Sequence, residues 1–366
     1  MDLCEQSPSY VRAIAPYQPG KPISELAREM GLKEKNIIKL ASNENPLGVS
    51  PKAKSAIKKA IAELGRYPDG NAFDLKAALA KRYNVPEECI VVGNGSNDLL
   101  EMAAAVFLGP GRSAVYSQHC FAVYPLATQS RGARSIVVPA QDYGHDLEAM
   151  LAAIAPDTRV VFIANPNNPT GTFVPGGELE QFLERAPREA AVVVDEAYTD
   201  YLPRELRYDS IGWLKKYPNL ILTRTFSKIY GLAGLRVGFG LMQPAVADLL
   251  NRVRQPFNVN SLALAAAAAA LEDRKFVAKS TRMNRAGMVK LERALKTLGL
   301  EIIPSCANFI TFRVSRAGTV YEKLLRQGVI VRPLAGYEMP EHLRVTVGTP
   351  GENEKFLKSL TAALDD

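Results

Sequence analysis

Lys228 stands in the run Thr225-Phe226-Ser227-Lys228-Ile229-Tyr230-Gly231-Leu232-Ala233-Gly234-Leu235-Arg236. The apolar residues Leu220-Ile221-Leu222 lead into it as a buried strand would. The lysine therefore falls just past a strand end, where a scaffold can hold it still. A lysine held in this way can form a Schiff base with a carbonyl compound. Ser227 and Arg236, with open glycine backbone between them, could hold a phosphate nearby. A second candidate is Asp195-Glu196-Ala197-Tyr198, which follows Val192-Val193-Val194. It delivers a carboxylate to the C-terminal end of a strand, where ligands sit in open α/β sheets. A nucleotide hydrolase uses such a carboxylate on magnesium, but that chemistry needs a G-x-x-x-x-G-K-[ST] loop, and the chain has none. Its other use is to hold a pyridinium nitrogen protonated.

Further motifs are modest one by one. Gly93-Asn94-Gly95-Ser96-Asn97-Asp98 opens a helix after a strand ending at Val92. It is either an anion site of free N–H groups or a plain turn with a Ser or Asn cap, and alone it favours the turn. Asn165-Pro166-Asn167-Asn168-Pro169-Thr170-Gly171 is a loop stiffened by two prolines, so its amides are aimed. Phe121 and Tyr124 fall at helical spacing. Tyr124 is expected in the core, whereas Phe121, at the helix start, could stack on a planar ring. Arg332 and Arg344 fall on neighbouring short strands and are either edge charges or a clamp for carboxylate or phosphate. Tyr17 and Tyr67, each beside proline, would by themselves be turn residues.

The elements that must position these groups alternate. Strand-like runs lie at Ile90-Val92, Ala114-Tyr116, Ile136-Val138, Val160-Ile163, Val192-Val194, Leu220-Leu222 and Val237-Phe239, with amphipathic segments such as Asp98–Phe107 and Glu178–Arg185 between most of them. This predicts a mostly parallel seven-stranded sheet covered on both faces. Near Pro256 the pattern changes to a long helical region, Ser261 to Leu298, with a break near Arg274. Short strands and helices then alternate to the end, as in a small α+β domain. The expected division is an N-terminal arm and short helix over residues 1–40, a large domain over 41–260 and a small C-terminal domain over 261–366.

Composition narrows the function. The 366 residues are 47% hydrophobic, ample for a large core. The net charge of +7 has no dense basic block behind it, so no nucleic-acid partner is expected. Residues 1–20 lack an apolar stretch, and the alanine-rich run Leu262 to Leu271 is too short to cross a bilayer. Neither a signal peptide nor a membrane partner is expected. Four scattered cysteines and three scattered histidines show no ligand spacing, so no metal is expected and the compartment is expected to be the cytoplasm.

The order of the motifs is more specific than any one of them. Asn43-Glu44-Asn45-Pro46, Tyr67-Pro68, Gly95-Ser96-Asn97, Asn165 to Gly171, Asp195 to Tyr198, Ser227-Lys228 with Arg236, and Arg344 occur in that sequence. Together they resemble a fold type I, pyridoxal-phosphate-dependent aminotransferase of the class II family, from about Val11 onward. The opening Val11 to Pro22, Arg224 to Lys228 and Leu343 to Gly348 resemble the histidinol-phosphate branch of that family. The resemblance implies that Lys228 carries the cofactor as a Schiff base and shuttles the Cα proton. It implies that Asp195 pairs with the ring nitrogen, that Asn168 and Tyr198 bond the phenolic oxygen, and that Phe121 stacks on the ring. Gly95, Ser96, Asn97, Ser227 and Arg236 would hold the cofactor phosphate.

A homodimer with shared sites is also implied, with Tyr67 reaching the neighbour's cofactor and Tyr17 its substrate. Asn43, Arg332 and Arg344 complete the implied substrate site. The implied reaction converts L-histidinol phosphate and 2-oxoglutarate to imidazole-acetol phosphate and L-glutamate in histidine biosynthesis. It is reversible and ping-pong through pyridoxamine phosphate. The alternatives are an aromatic amino-acid aminotransferase, a phosphothreonine decarboxylase and a regulator that keeps the fold without the chemistry. The last is disfavoured because the lysine and aspartate are both present.

Overall fold

The computed structural model describes residues 2–365. Its strands, in chain order, are β1 (Ile38–Lys39), β2 (Ile90–Gly93), β3 (Ser113–Ser117), β4 (Arg134–Val138), β5 (Thr158–Ala164), β6 (Ala191–Asp195), β7 (Leu220–Thr225), β8 (Gly238–Met242), β9 (Ile302–Ile303), β10 (Phe309–Arg313), β11 (Val329–Ile330), β12 (Arg332–Pro333) and β13 (His342–Thr346). Seven of them form one sheet in the order β2-β8-β7-β6-β5-β3-β4. Only β8 runs against its neighbours. The loops that leave β2, β3, β5, β6 and β7 therefore emerge along one edge, and the sequence places its candidate residues in those loops.

The sheet is buried on both faces because its strands are apolar without alternation. Val192 and Val194 pack into one core layer, and Val193 packs into the other. Fully burying side chains of this size stabilises by about 1.5–3 kcal/mol each. A four-stranded antiparallel sheet, β12-β13-β10-β9, belongs to the smaller C-terminal domain. The run Val329 to Val331, expected as one strand, is split. Val329 and Ile330 pair in parallel with Ile38 and Lys39, whereas Arg332 turns to pair with β13. That parallel pairing ties the N-terminal segment to the C-terminal sheet. Leu26, on the helix Ile23–Met30, packs into the same join with Ile37, Leu325 and Ile330.

The long helical region breaks where expected. Asn260 caps the helix Ser261–Leu271, and Asp273 caps the helix Arg274–Thr297 by accepting from the Phe276 N–H at 3.2 Å. The expected irregular arm contains two short helical turns, Leu3–Gln6 and Ser9–Arg12.

The loop that carries Lys228 is docked on the segment from Ser42 to Gly48. Asn45 donates to the Ile229 carbonyl at 2.7 Å. Gly231 has a φ of +71°, and a Cβ built there would lie 2.0 Å from the Gly48 carbonyl oxygen. Only glycine permits this approach. Gly231→Ala is expected to destabilise the protein by about 2 kcal/mol or more through backbone strain and the clash. A urea-denaturation midpoint equal to that of the parent would contradict this packing.

Candidate active site

A cavity of about 210 Å³ opens along the carboxyl edge of the large sheet. Lys228, Asp195, Tyr198, Ser96, Asn97, Phe121, Asn168, Ser227, Arg236, Asn43, Tyr17, Arg332 and Arg344 all line it. The sequence-predicted residues therefore converge, with two exceptions. Gly95 borders the cavity without lining it. Tyr67 lies outside, exposed, with its ring stacked 4.8 Å from that of Phe257.

The cavity floor is built at the ends of β6 and β7. Asp195 is buried and makes no ion pair among the described residues. Its Oδ2 accepts from the Tyr124 hydroxyl at 3.3 Å, and its Oδ1 accepts from the Ala197 N–H at 3.2 Å. Burial pushes its carboxyl up to about 6 despite these bonds. Tyr124 is fully buried as expected of a core residue, yet its hydroxyl also serves Asp195. The sequence signal was its place one helical turn from the cavity-facing Phe121. Lys228 lies three residues past β7, donates to the Ser42 carbonyl at 3.2 Å and sits 5.6 Å from the Tyr198 ring centre. Burial first, then the positive charge of Arg344, pulls its ammonium down to about 8.

One side of the cavity suits an anion. The helix Ser96–Phe107 begins at Gly95, φ +83°, with no side-chain cap. The Ser or Asn cap considered for a plain turn is absent, so the N–H groups of the first turn are left for another partner. A Cβ at Gly95 would lie 2.5 Å from Arg236 Nη2, so the glycine lets the guanidinium come close. Arg236 in turn donates to the Ser227 hydroxyl at 3.3 Å.

The other side carries two arginines from the small sheet. Arg332 and Arg344 are direct partners in the antiparallel register of β12 and β13. Buried Arg344 donates to Asn168 Oδ1 and to the Ala41 carbonyl, the latter at 2.7 Å, while its Nε has no partner. Because arginine only donates, Asn168 must present its oxygen to Arg344 and its Nδ2 to the cavity. Half-buried Arg332 donates to the Gln18 carbonyl at 2.9 Å and lies 5.6 Å over the Tyr17 ring. Tyr17, expected to serve the neighbouring subunit, is placed by these contacts at the mouth of its own chain's cavity. Tyr337 also lines the cavity, and the motifs gave no sign of it. It follows Arg332 on a short turn, and its carbonyl is bonded by the His119 ring at 2.9 Å.

Residues 35–360 match the family described as aminotransferase class I and II. The chain belongs to that family. It is 63% identical over 366 residues to histidinol-phosphate aminotransferase 2 of Nitrosospira multiformis, covering 100% of this chain and 93% of that protein. Identity to histidinol-phosphate aminotransferase 1 of Dechloromonas aromatica is 61%, with 100% of each chain covered. The fold is shared with the crystal structure of histidinol-phosphate aminotransferase from Sinorhizobium meliloti in complex with pyridoxal-5'-phosphate. That match has a TM-score of 0.90 at 28% identity and covers 98% of both chains. The expected fold class, a fold type I aminotransferase with a mostly parallel seven-stranded sheet and a smaller C-terminal domain, holds.

The buried Asp195 carboxyl carries a stability consequence. Its folded pKa of about 6 exceeds the ordinary 3.8, so the folded state keeps a proton that the unfolded chain releases. Stability from this group is full below pH 4 and is lost as pH rises through 6. In cofactor-free protein, Asp195→Asn should therefore raise stability at pH 7, by about 3 kcal/mol at most. The gain should shrink toward pH 4, as followed by denaturant unfolding at both pH values. A variant less stable than the parent at pH 7 would contradict the burial cost.

Proposed function

We propose that this aminotransferase uses pyridoxal 5'-phosphate to move an amino group between L-histidinol phosphate and 2-oxoglutarate. The products are imidazole-acetol phosphate and L-glutamate, and the exchange is reversible, as a step of histidine biosynthesis. The observation that carries the reading is the pair of arginines in direct cross-strand register, Arg332 and Arg344, that line one side of a cavity floored by Lys228 and Asp195.

The residues present fit the cofactor. A buried carboxylate with no cation of its own suits a protonated ring nitrogen, and Asp195 would hold it. The uncapped helix start, Ser96, Asn97, Ser227 and Arg236 would hold the phosphate, with Gly95 leaving room. Asn168 and Tyr198 would bond the phenolic oxygen, and Phe121 would cover the ring face. Lys228 would be the covalent attachment point. When bound, the cofactor supplies an electron sink for negative charge developing at the substrate's α-carbon. The chain's own contribution is to place and move a proton. An amine lowered to about 8 is partly unprotonated near neutral pH, so Lys228 Nζ can accept the α-carbon proton and return it.

The arginines account for the substrate. Histidinol phosphate has a phosphate ester where glutamate has a carboxylate, and one guanidinium fork serves either anion in turn. Arg344 would bind both. Arg332 and Tyr17 are the additions suited to phosphate, and Asn43 lies on the same wall.

The molecule is read as a homodimer with shared sites. Ile61, Leu64, Tyr67, Phe73 and Phe257 are exposed on one chain, with Tyr67 and Phe257 stacked on each other, and exposed apolar side chains suit a subunit interface. Through it Tyr67 would reach the neighbour's cofactor phosphate. The division into residues 1–40, 41–260 and 261–366 places the two arginines on the small domain and Lys228 on the large one. Four unpaired cysteines suit a reducing compartment, so the cytoplasm is proposed as its place.

Arg332→Gln separates the two substrates. KM for histidinol phosphate should rise about 10- to 100-fold, the equivalent of one hydrogen bond to a charged group. The KM for glutamate in the reverse direction should change less. Initial-rate kinetics in both directions decide it. Equal changes for both substrates, or none, would remove Arg332 from the phosphate site.

A further inference from the structure

Asn43 is buried, at a φ of +56°, and its side chain is engaged at both ends. Its Nδ2 donates to the Tyr198 hydroxyl oxygen at 2.9 Å. Its Oδ1 accepts from the Thr346 hydroxyl at 3.2 Å. Thr346 Oγ1 in turn accepts from the Asn43 backbone N–H at 2.9 Å. The orientation of the amide follows from Thr346. That hydroxyl is buried, and Asn43 Oδ1 is the acceptor its proton has. Reversing the amide would leave the proton without a partner, at the cost of an unsatisfied buried donor.

The direction of the next bond is then set. Asn43 donates, so the Tyr198 oxygen accepts, and the phenol still has its own proton to give. Tyr198 donates to no acceptor among the described residues, and it lines the cavity. We infer that Asn43 and Thr346 are positioning residues that hold Tyr198 as a hydrogen-bond donor into the cavity, rather than as a donor to the protein. Thr346 lies two residues beyond Arg344 on the same strand and so points to the same face. The strand that carries a substrate-binding arginine thus also sets the direction of a phenol proton on the large domain.

The inference rests on the cofactor reading above, in which Tyr198 donates to the phenolic oxygen. A bond donated to that oxygen stabilises its anion, so losing the bond raises the pH at which the bound chromophore titrates. The test is a pH titration of the visible absorbance of the cofactor-loaded protein. Thr346→Val keeps the shape and removes the hydroxyl, and its titration should move up by about one pH unit, the scale of one hydrogen bond to a charged group. Thr346→Ser should restore the parent midpoint, and Thr346→Ala replaces the valine variant should that one not fold.

A double-mutant comparison separates positioning from a general structural effect. Tyr198→Phe should raise the midpoint by itself, and adding Thr346→Val to it should raise it no further. An unchanged midpoint in Thr346→Val, or an additive shift in the double variant, would overturn the inference. Parent protein that develops no visible band with pyridoxal phosphate would instead overturn the cofactor reading, and the inference with it.

Discussion

Arg332 and Arg344 face each other across two antiparallel strands, and like charges in direct cross-strand register repel. Each guanidinium is partly relieved by the protein. Arg344 spends donors on Asn168 and the Ala41 carbonyl, and Arg332 rests on Tyr17 and the Gln18 carbonyl. Neither receives a carboxylate among the described residues, and the Arg344 Nε keeps an unmet donor. Two neighbouring cations without a counter-ion among the described residues suit an anion that arrives with a substrate, as in the function proposed above. Much of the surrounding architecture follows from presenting that pair to the floor of the cavity. The small sheet supplies their register, and the join of β1 with β11 holds the N-terminal segment beside it.

The same economy applies on the floor. Asp195 and Lys228 are both shifted toward neutrality by burial, in opposite directions. An isolated buried charge is unfavourable, and structures tolerate it where function needs it. Fixed surroundings make the arrangement possible. Tyr124 and the Ala197 N–H hold the carboxylate, and Gly231 and Asn45 fix the lysine loop on the segment beneath. At the strand ends, on the opposite sheet face, Arg224 of β7 forms an ion pair at 2.7 Å with Glu196, the residue that follows β6. Both strand ends that carry reactive groups are therefore anchored from two sides.

Much of this was legible in the chain because the relevant signals are local. Unbroken apolar runs such as Val192 to Val194 marked strands buried on both faces, and the residues that follow a strand end necessarily meet at one sheet edge. The break before Arg274 was readable because Asp273 is itself the cap. What escaped depends on contacts between distant segments. The Arg332–Arg344 register needs the strand pairing, and the two possible readings of those arginines could not be separated without it. Tyr124 looked like core and is core, and only the fold brings its hydroxyl to Asp195. Thr346 reaches Asn43 across 303 residues of chain, and no local pattern announces such a bond. Only the fold brings Arg332 over the Tyr17 ring and to the neighbouring Gln18 carbonyl, 314 residues of chain earlier.

The central claim is that an opposed arginine pair selects a phosphorylated amine for chemistry at Lys228. Steady-state kinetics of the unmodified enzyme with 2-oxoglutarate test it most directly, with histidinol phosphate, phenylalanine and tyrosine compared as amino donors. Two charge-assisted contacts predict a kcat/KM for histidinol phosphate about a hundredfold or more above the aromatic donors. An aromatic donor that matches or exceeds histidinol phosphate would contradict it.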